Sequence, residues 1–289
     1  MQATVNVNGR VFDQEHATIS VFDHGFLYGE GVYETLRTYG GRPFLFDRHM
    51  TRLRASARAL AIEVPLTDAE IGMRFEQTMK AAGLGVNGRE AYIRILVTRG
   101  VGDLSYDPAA CPEPSIVIIA KPHADVSRAT LDAGVTIIIT TVVRNHPGSV
   151  NPVIKSNNLI NSALAMQEAV RKGAFEGLMR NYRGEIAELS TANIFIVKDG
   201  VAMTPPLDAG LLAGLTREFV LELAADGHIP TKEQVLKDAD LFGADEAFLT
   251  STTREIVPIV QVDDRKIGAG VPGPVTQTLL AAFHRRANA

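Results

Sequence analysis

The chain is predicted to fold as a two-domain α+β protein. Strand-like and helix-like segments do not alternate regularly along it, which argues against a doubly wound parallel sheet. Its 289 residues suit one large domain or two ordinary ones. A polar stretch, residues 121–132, carries Pro122 and reads as a linker between an N-terminal domain, 1–120, and a C-terminal domain, 133–289.

The elements follow from local pattern. Asn8-Gly9 marks a hairpin turn between two short strands, and Gly40-Gly41 interrupts a strand-rich run over 32–46. A helix is predicted from Asp47, with Met50, Leu53, Ala57 and Leu60 on one face. Thr67-Asp68-Ala69-Glu70 is a capping box opening a second helix, with Ile71, Phe75 and Met79 inward. Strands are predicted over 91–98 and 115–120. Beyond the linker, 135–143 reads as a strand and 157–172 as a helix. Segments 178–181, 185–197 and 201–204 form a meander with turns at Arg183-Gly184 and Asp199-Gly200. A helix over 216–225, a strand over 247–250 and a helix over 274–286 complete the chain.

Composition narrows the function. The formal net charge of −4 gives no long-range pull toward nucleic acid or an anionic membrane. One cysteine, Cys111, leaves no internal disulfide framework, which fits a reducing, cytoplasmic setting. Met1-Gln2-Ala3-Thr4-Val5-Asn6 lacks the basic start and apolar stretch of a signal peptide. The apolar run at 135–143 is broken by threonines and too short to span a bilayer. The histidines lack zinc-site spacing, so no metal is expected. No Walker loop, GxGxxG or G-x-S-x-G elbow appears.

Lys155 stands out, in Pro152-Val153-Ile154-Lys155-Ser156-Asn157. A helix start predicted at 157 disfavours a cation, and Val153 and Ile154 would desolvate it. Both favour the neutral amine, the nucleophile that condenses with an aldehyde cofactor. Taken alone, the segment also fits a lysine whose tip reaches water. Glu188 lies in Ile186-Ala187-Glu188-Leu189, and a carboxylate in so apolar a run needs a partner. A protonated ring nitrogen of a cofactor is one candidate; an exposed strand position is the alternative. Gly214-Leu215-Thr216-Arg217 opens a helix whose first N–H groups suit a phosphate. Ser251-Thr252-Thr253 follows a strand and offers hydroxyls in one turn, and Arg52 offers a fixed charge. Each also has a plain reading: an ordinary N-cap, a polar turn, a solvated helix face.

Together the segments resemble the fold-type IV pyridoxal-phosphate enzymes: branched-chain aminotransferases, D-amino acid transaminases and aminodeoxychorismate lyases. The resemblance runs almost end to end, from Asn8-Gly9 to Gly273-Pro274-Val275-Thr276. It rests on Asp23-His24-Gly25-Phe26-Leu27-Tyr28-Gly29, Val32-Tyr33-Glu34-Thr35-Leu36-Arg37, His49-Met50-Thr51-Arg52-Leu53, Ile154-Lys155, Glu188 through Phe195, Gly214 through Arg217, and Ser251 through Pro258. It implies a smaller N-terminal α/β domain and a larger C-terminal domain with a strand-rich, barrel-like core. It implies pyridoxal 5′-phosphate as cofactor, small amino and keto acids as substrates, and a homodimer or higher assembly in which a loop of one subunit closes the other's site. Residue by residue, Lys155 matches the Schiff-base lysine and proton shuttle, and Glu188 the partner of the pyridine nitrogen. Arg52, Ser190, Asn193, Leu215, Thr216, Ser251 and Thr252 match cofactor-binding positions. Tyr28, Tyr33, Thr35, Arg37, Tyr92, Arg94 and Thr253 match the substrate pocket.

Within the family the signals point two ways. Tyr28 and Tyr92-Ile93-Arg94 match the carboxylate side of a branched-chain pocket. The loop Val101-Gly102-Asp103-Leu104-Ser105-Tyr106 lacks the Arg-x-His pair with which D-amino acid transaminases bind that carboxylate. Tyr33, Lys155-Ser156 and Ser251-Thr252-Thr253 look more like the D-enzymes, and Ile160 replaces a tyrosine frequent in branched-chain enzymes. Thr35 and Arg37 match lyase positions, whereas Asn158-Leu159-Ile160-Asn161 looks more like a transaminase. The expectation is a transaminase between an apolar L-amino acid and 2-oxoglutarate. A D-amino acid or (R)-amine transaminase, an aminodeoxychorismate lyase and, remotely, a non-catalytic cofactor-binding protein are the alternatives.

Overall fold

The computed structural model describes residues 3–289, and the chain divides into two units. Met1 and Gln2, where the segment read against a signal peptide begins, lie outside the described residues. One unit runs to Ala124 and takes in Ile154–Asn158; the other comprises Asp125–Val153 and Leu159–Ala289.

In the first unit, β1 (Thr4–Val7) and β2 (Arg10–Asp13) form the hairpin expected at Asn8-Gly9. Asn8 and Gly9 have φ of 49° and 88°, the left-handed pair that matches a two-residue turn to strand twist. A short α1 (His24–Leu27) precedes β3 (Gly31–Tyr39) and β4 (Arg42–Pro43). Then come α2 (Phe46–Ala59), α3 (Asp68–Ala81), β5 (Ala91–Thr98) and β6 (Ser115–Pro122). The strands form a six-stranded sheet in the order β2-β1-β6-β5-β3-β4, every pair antiparallel. Alternation along β5 puts Ile93, Ile95 and Val97 on the face covered by Met50, Leu53 and Ala57 of α2 and Ile71, Phe75 and Met79 of α3. The capping box forms: Thr67 Oγ1 accepts from the Glu70 N–H at 3.2 Å, and Glu70 accepts from the Thr67 N–H at 2.7 Å.

The second unit contains α4 (Arg128–Ala133), β7 (Val135–Ile139), α5 (Ile160–Arg171), β8 (Gly177–Arg180), β9 (Ile186–Leu189), β10 (Asn193–Lys198) and β11 (Val201–Thr204). After these come α6 (Leu215–Asp226), β12 (Thr231–Glu233), α7 (Asp238–Phe242), β13 (Glu246–Ser251), β14 (Glu255–Val262), β15 (Arg265–Lys266) and α8 (Pro274–Ala287). The sheet runs β12-β11-β10-β13-β14-β7-β8-β9, with β15 on β14. Its terminal strand β9 turns through 190–192 into β10, and Leu189 N–H donates to the Ala192 carbonyl at 2.8 Å. That link curls the sheet back on itself around Ile137, Leu178, Ile186, Ile194, Leu249 and Val257.

Three local expectations change. The helix expected from 157 starts at Ile160, and the strand expected to 143 stops at Ile139. The stretch 121–132, read as a linker between domains, contains the division between the units at Ala124 but is not without structure: it holds the end of β6 and most of α4, whose N-cap Ser127 accepts from the Thr130 N–H. Among the described residues no helix is long and apolar enough to cross a membrane, and no group of three or more His, Cys, Asp or Glu is placed to hold a metal ion.

Candidate active site

In the first unit, the register of β3 and β5 sets Thr35 opposite Arg94, Arg37 opposite Tyr92 and Tyr33 opposite Leu96. Side chains alternate across a strand, so Tyr33, Thr35, Arg37, Tyr92 and Arg94 share the sheet face turned away from α2 and α3. The Arg94 guanidinium lies over the Tyr33 ring, 3.9 Å from its centroid, and Lys155 Nζ lies over the same ring at 4.5 Å. Arg37 is buried and stacks on Tyr39 at 4.2 Å, while the Tyr92 ring lies under Lys121 Nζ at 4.7 Å. Tyr28 closes α1. It packs on buried His24 at 4.9 Å and on Tyr106 at 5.0 Å.

Lys155 is held by its backbone in an extended segment against the start of β3. Tyr33 N–H donates to the Lys155 carbonyl at 3.0 Å, Asn157 N–H to the Gly31 carbonyl at 2.8 Å, and Lys155 N–H to Ser56 Oγ at 3.1 Å. Ser156 pairs with Val32, and Ile154 packs on the core. This corrects the argument from a helix start: α5 begins five residues later, and Val153 is exposed rather than covering the amine.

On the opposite face of β3, between core residues Val32 and Leu36, lies Glu34. Its carboxylate receives Arg52 Nε at 2.7 Å and Arg52 Nη2 at 2.8 Å, and lies 2.6 Å from His49 Nδ1. Burial alone would raise the Glu34 carboxyl; the Arg52 charge and hydrogen bonds, with His49, outweigh it and hold the group at about 2. Burial pushes His49 below the usual histidine range, against the pull of Glu34. Arg52, expected to offer a fixed charge, is oriented by this carboxylate, so the plain reading of a solvated helix face does not hold. The signal was present in the sequence: a glutamate at the parity of Val32 and Leu36 faces the core and requires a cation.

In the second unit, Glu188 sits on β9 and is 6% exposed, so the alternative of an exposed strand carboxylate does not hold. It accepts from Arg144 Nε at 2.8 Å, from Asn193 Nδ2 at 3.3 Å and from the Leu212 N–H at 3.2 Å. Arg144 also reaches Asn161 at 3.0 Å, and Asn193 donates to the Leu212 carbonyl at 3.0 Å. Arg144 was not among the sequence candidates; it lies in an irregular loop with no periodicity to mark it. α6 begins at Leu215 behind Gly214, with no side-chain cap on its first N–H groups, and Leu215 and Thr216 are both buried. A Cβ on Gly214 would meet Asn193 Oδ1 at 1.8 Å, so only glycine lets the helix start come this close. Ser251 ends β13, and the turn 251–254 closes with Arg254 N–H donating to the Ser251 carbonyl at 3.3 Å. Thr252 and Thr253 lie in that turn. Ser190 is buried and donates to Glu176 at 2.5 Å.

Known proteins share this organisation. The family model described as amino-transferase class IV matches residues 31–262. A putative branched-chain-amino-acid aminotransferase of Methanocaldococcus jannaschii is 40% identical over 279 residues, 96% of this chain and 94% of that protein. A D-alanine aminotransferase of Listeria monocytogenes is 34% identical over 282 residues, 96% of this chain and 94% of the other. The crystal structure of Escherichia coli branched-chain amino acid aminotransferase superposes with a TM-score of 0.92 at 32% identity, covering 98% of this chain and 93% of that one.

Proposed function

The chain belongs to the class IV aminotransferases, enzymes of fold type IV, and we propose that it moves an amino group between an apolar, branched-chain type L-amino acid and 2-oxoglutarate. The observation that carries this choice of substrates is Arg94 stacked on Tyr33, on a sheet face shared with Thr35, Arg37 and Tyr92. One pocket must accept an apolar side chain in one half-reaction and the side-chain carboxylate of glutamate in the other. An arginine laid on an aromatic ring keeps its charge partly compensated, and nearby hydroxyls serve as adjustable donors, so the apolar partner does not meet a bare buried cation.

The cofactor is pyridoxal 5′-phosphate, which when bound supplies the electron sink that stabilises charge at the substrate α-carbon. The residues fit it. A primary amine at Lys155 serves as covalent anchor and as the base that takes the α-proton at Nζ. Glu188, oriented by Arg144 and Asn193, would hold the ring nitrogen protonated when the cofactor is bound. The uncapped start of α6 at Leu215 and Thr216, where a Cβ on Gly214 has no room, joins the hydroxyls of Ser251 and Thr252 as phosphate donors. Arg52, its guanidinium oriented by Glu34, offers a fixed charge of the kind a phosphate takes. Thr253 faces the substrate, and Ser190 supports the cofactor side.

Purified enzyme assayed with L-leucine, L-valine, D-alanine and (R)-1-phenylethylamine against 2-oxoglutarate and pyruvate tests the substrate assignment. L-leucine and L-valine with 2-oxoglutarate are expected to react fastest. Faster turnover of D-alanine overturns it and selects the activity named for the Listeria relative. Borohydride reduction and peptide mapping test the anchor, which must be Lys155.

The proposal includes a homodimer. Phe22, Phe26, Leu104 and Tyr106 are exposed in the first unit, Tyr106 by 81%. Their two segments are stitched together by Gly102 N–H to the Phe22 carbonyl at 3.2 Å and by His24 Nε2 at 2.8 Å from the Asp103 carbonyl. A joined apolar surface of this kind suits a second copy of the chain. Sedimentation of Leu104→Asp should show monomers where the parent shows dimers.

A further inference from the structure

Beyond the residues already given roles, the second unit holds a charge pair between buried Glu176 and half-buried Arg254. Glu176 has no solvent exposure, and the Arg254 side chain is 18% exposed. Arg254 Nη2 lies 2.7 Å from Glu176 Oε1 and donates to Thr191 Oγ1 at 2.6 Å. Thr191 Oγ1 also donates to Glu176 Oε1, and Ser190 Oγ donates to Oε2 at 2.5 Å. A carboxylate this deeply buried is stable only when paired and fully hydrogen-bonded, and here a single guanidinium supplies the charge. The same guanidinium reaches back along its own turn: Arg254 Nε–H donates to Ser251 Oγ at 3.2 Å.

That last bond has a directional consequence. A serine hydroxyl has one hydrogen to donate and two lone pairs with which to accept. With a cationic N–H on one lone pair, the hydroxyl hydrogen is repelled from the guanidinium and turned outward. The Ser251 hydroxyl is thereby set as a donor, the polarity an anionic oxygen requires. At its other end the guanidinium is fixed by Glu176 to the 190–191 turn, which joins the strand of Glu188 to the strand of Asn193.

We propose that Arg254 is a positioning residue: clamped by Glu176 and Thr191, it orients the Ser251 hydroxyl toward the cofactor phosphate and fixes the 251–254 turn against the β9–β10 connection. The inference rests on the reading of Ser251 and Thr252 as phosphate contacts. Lysine is the informative replacement at 254. It keeps a cation for Glu176 but lacks the planar fork that holds Glu176 and Ser251 at once.

The test measures the dissociation constant of pyridoxal 5′-phosphate for cofactor-depleted full-length protein, together with its thermal midpoint, in Arg254→Lys, Ser251→Ala, their double variant and Thr252→Ala. Arg254→Lys and Ser251→Ala are each expected to raise the dissociation constant about tenfold. The double variant is expected to bind no more weakly than either single, because both remove one oriented donor. A merely structural arginine would move the thermal midpoint and leave the dissociation constant unchanged. Wild-type affinity in Arg254→Lys, or single effects that multiply in the double variant, overturns the proposal. Weakened binding in Thr252→Ala beside unchanged binding in Arg254→Lys removes the role of Arg254 alone. Unchanged binding in Thr252→Ala removes the phosphate reading itself, and the role of Arg254 with it.

Discussion

Each unit holds a buried glutamate paired with an arginine, and the two pairs are built differently. Glu34 receives Arg52 through two hydrogen bonds of 2.7 and 2.8 Å and has His49 at 2.6 Å. Glu188 receives Arg144 Nε at 2.8 Å, and Asn193 and Leu212 at 3.3 and 3.2 Å. The first arrangement is a two-pronged fork on a fully buried carboxylate, suited to fixing a guanidinium. The second includes long bonds, from Asn193 and Leu212, that can be exchanged for a shorter, charge-assisted partner. Burial of a glutamate therefore does not by itself distinguish a structural anchor from the cofactor partner proposed for Glu188; the lengths and geometry of its bonds favour that distinction.

The largest effect that separates the two is on rate. Glu188→Gln keeps the shape and removes the charge, and the half-reaction with L-leucine, followed by absorbance in single turnover, should slow by roughly 10²–10³-fold. Cofactor affinity should change much less. If Glu34→Gln slows the half-reaction as severely as Glu188→Gln, the distinction between the two pairs collapses.

Next comes stability. Glu34→Gln leaves Arg52 buried without its counter-charge and should cost about 3–5 kcal/mol in urea unfolding. Glu188→Gln also strips the counter-charge from Arg144, but Arg144 keeps its bond to Asn161 and this carboxylate is less completely buried than Glu34, so the cost should be smaller.

A smaller effect sharpens the substrate assignment. Arg94→Ala should lower kcat/KM for glutamate and 2-oxoglutarate by roughly 10–100-fold and for leucine by only a few-fold. Equal losses on both would place Arg94 at the α-carboxylate, which both substrates share.

The smallest is a pH slope. His49 and Glu34 both titrate lower in the folded chain than their ordinary values of 6.5 and 4.5, so the unfolded chain binds those protons first. Their contribution is full above those values. It falls as pH drops below 6.5 for His49, and between 4.5 and about 2 for Glu34. His49→Gln should flatten the decline in unfolding free energy that begins as pH drops below about 6.5 and leave the Glu34 decline below 4.5 in place. A wild-type slope in that variant would assign the upper window to another histidine.

Sequence pattern and structure agree wherever the information is local. Asn8-Gly9, the Thr67–Glu70 capping box and the apolar stripes of α2 and α3 each depend on residues a few positions apart. Lys155 and Glu188 were visible because each is a charge where its neighbours are apolar. The helix start expected beside Lys155 is nonetheless absent. Its segment adds to the edge of β3 through backbone hydrogen bonds, and no local pattern encodes that long-range pairing.

What the amino-acid order determined alone was therefore the periodicity of each element, the turn chemistry and the identity of the unusual charges. Only the tertiary structure decided which charges meet. Arg144 finds Glu188 across 44 positions of sequence, and Arg52 is oriented by Glu34 from a different element. Secondary structure is set by torsions and by neighbours within one turn or one pleat. A buried carboxylate instead takes whichever cation the packing brings within hydrogen-bond reach, and that proximity exists only once the sheets have closed.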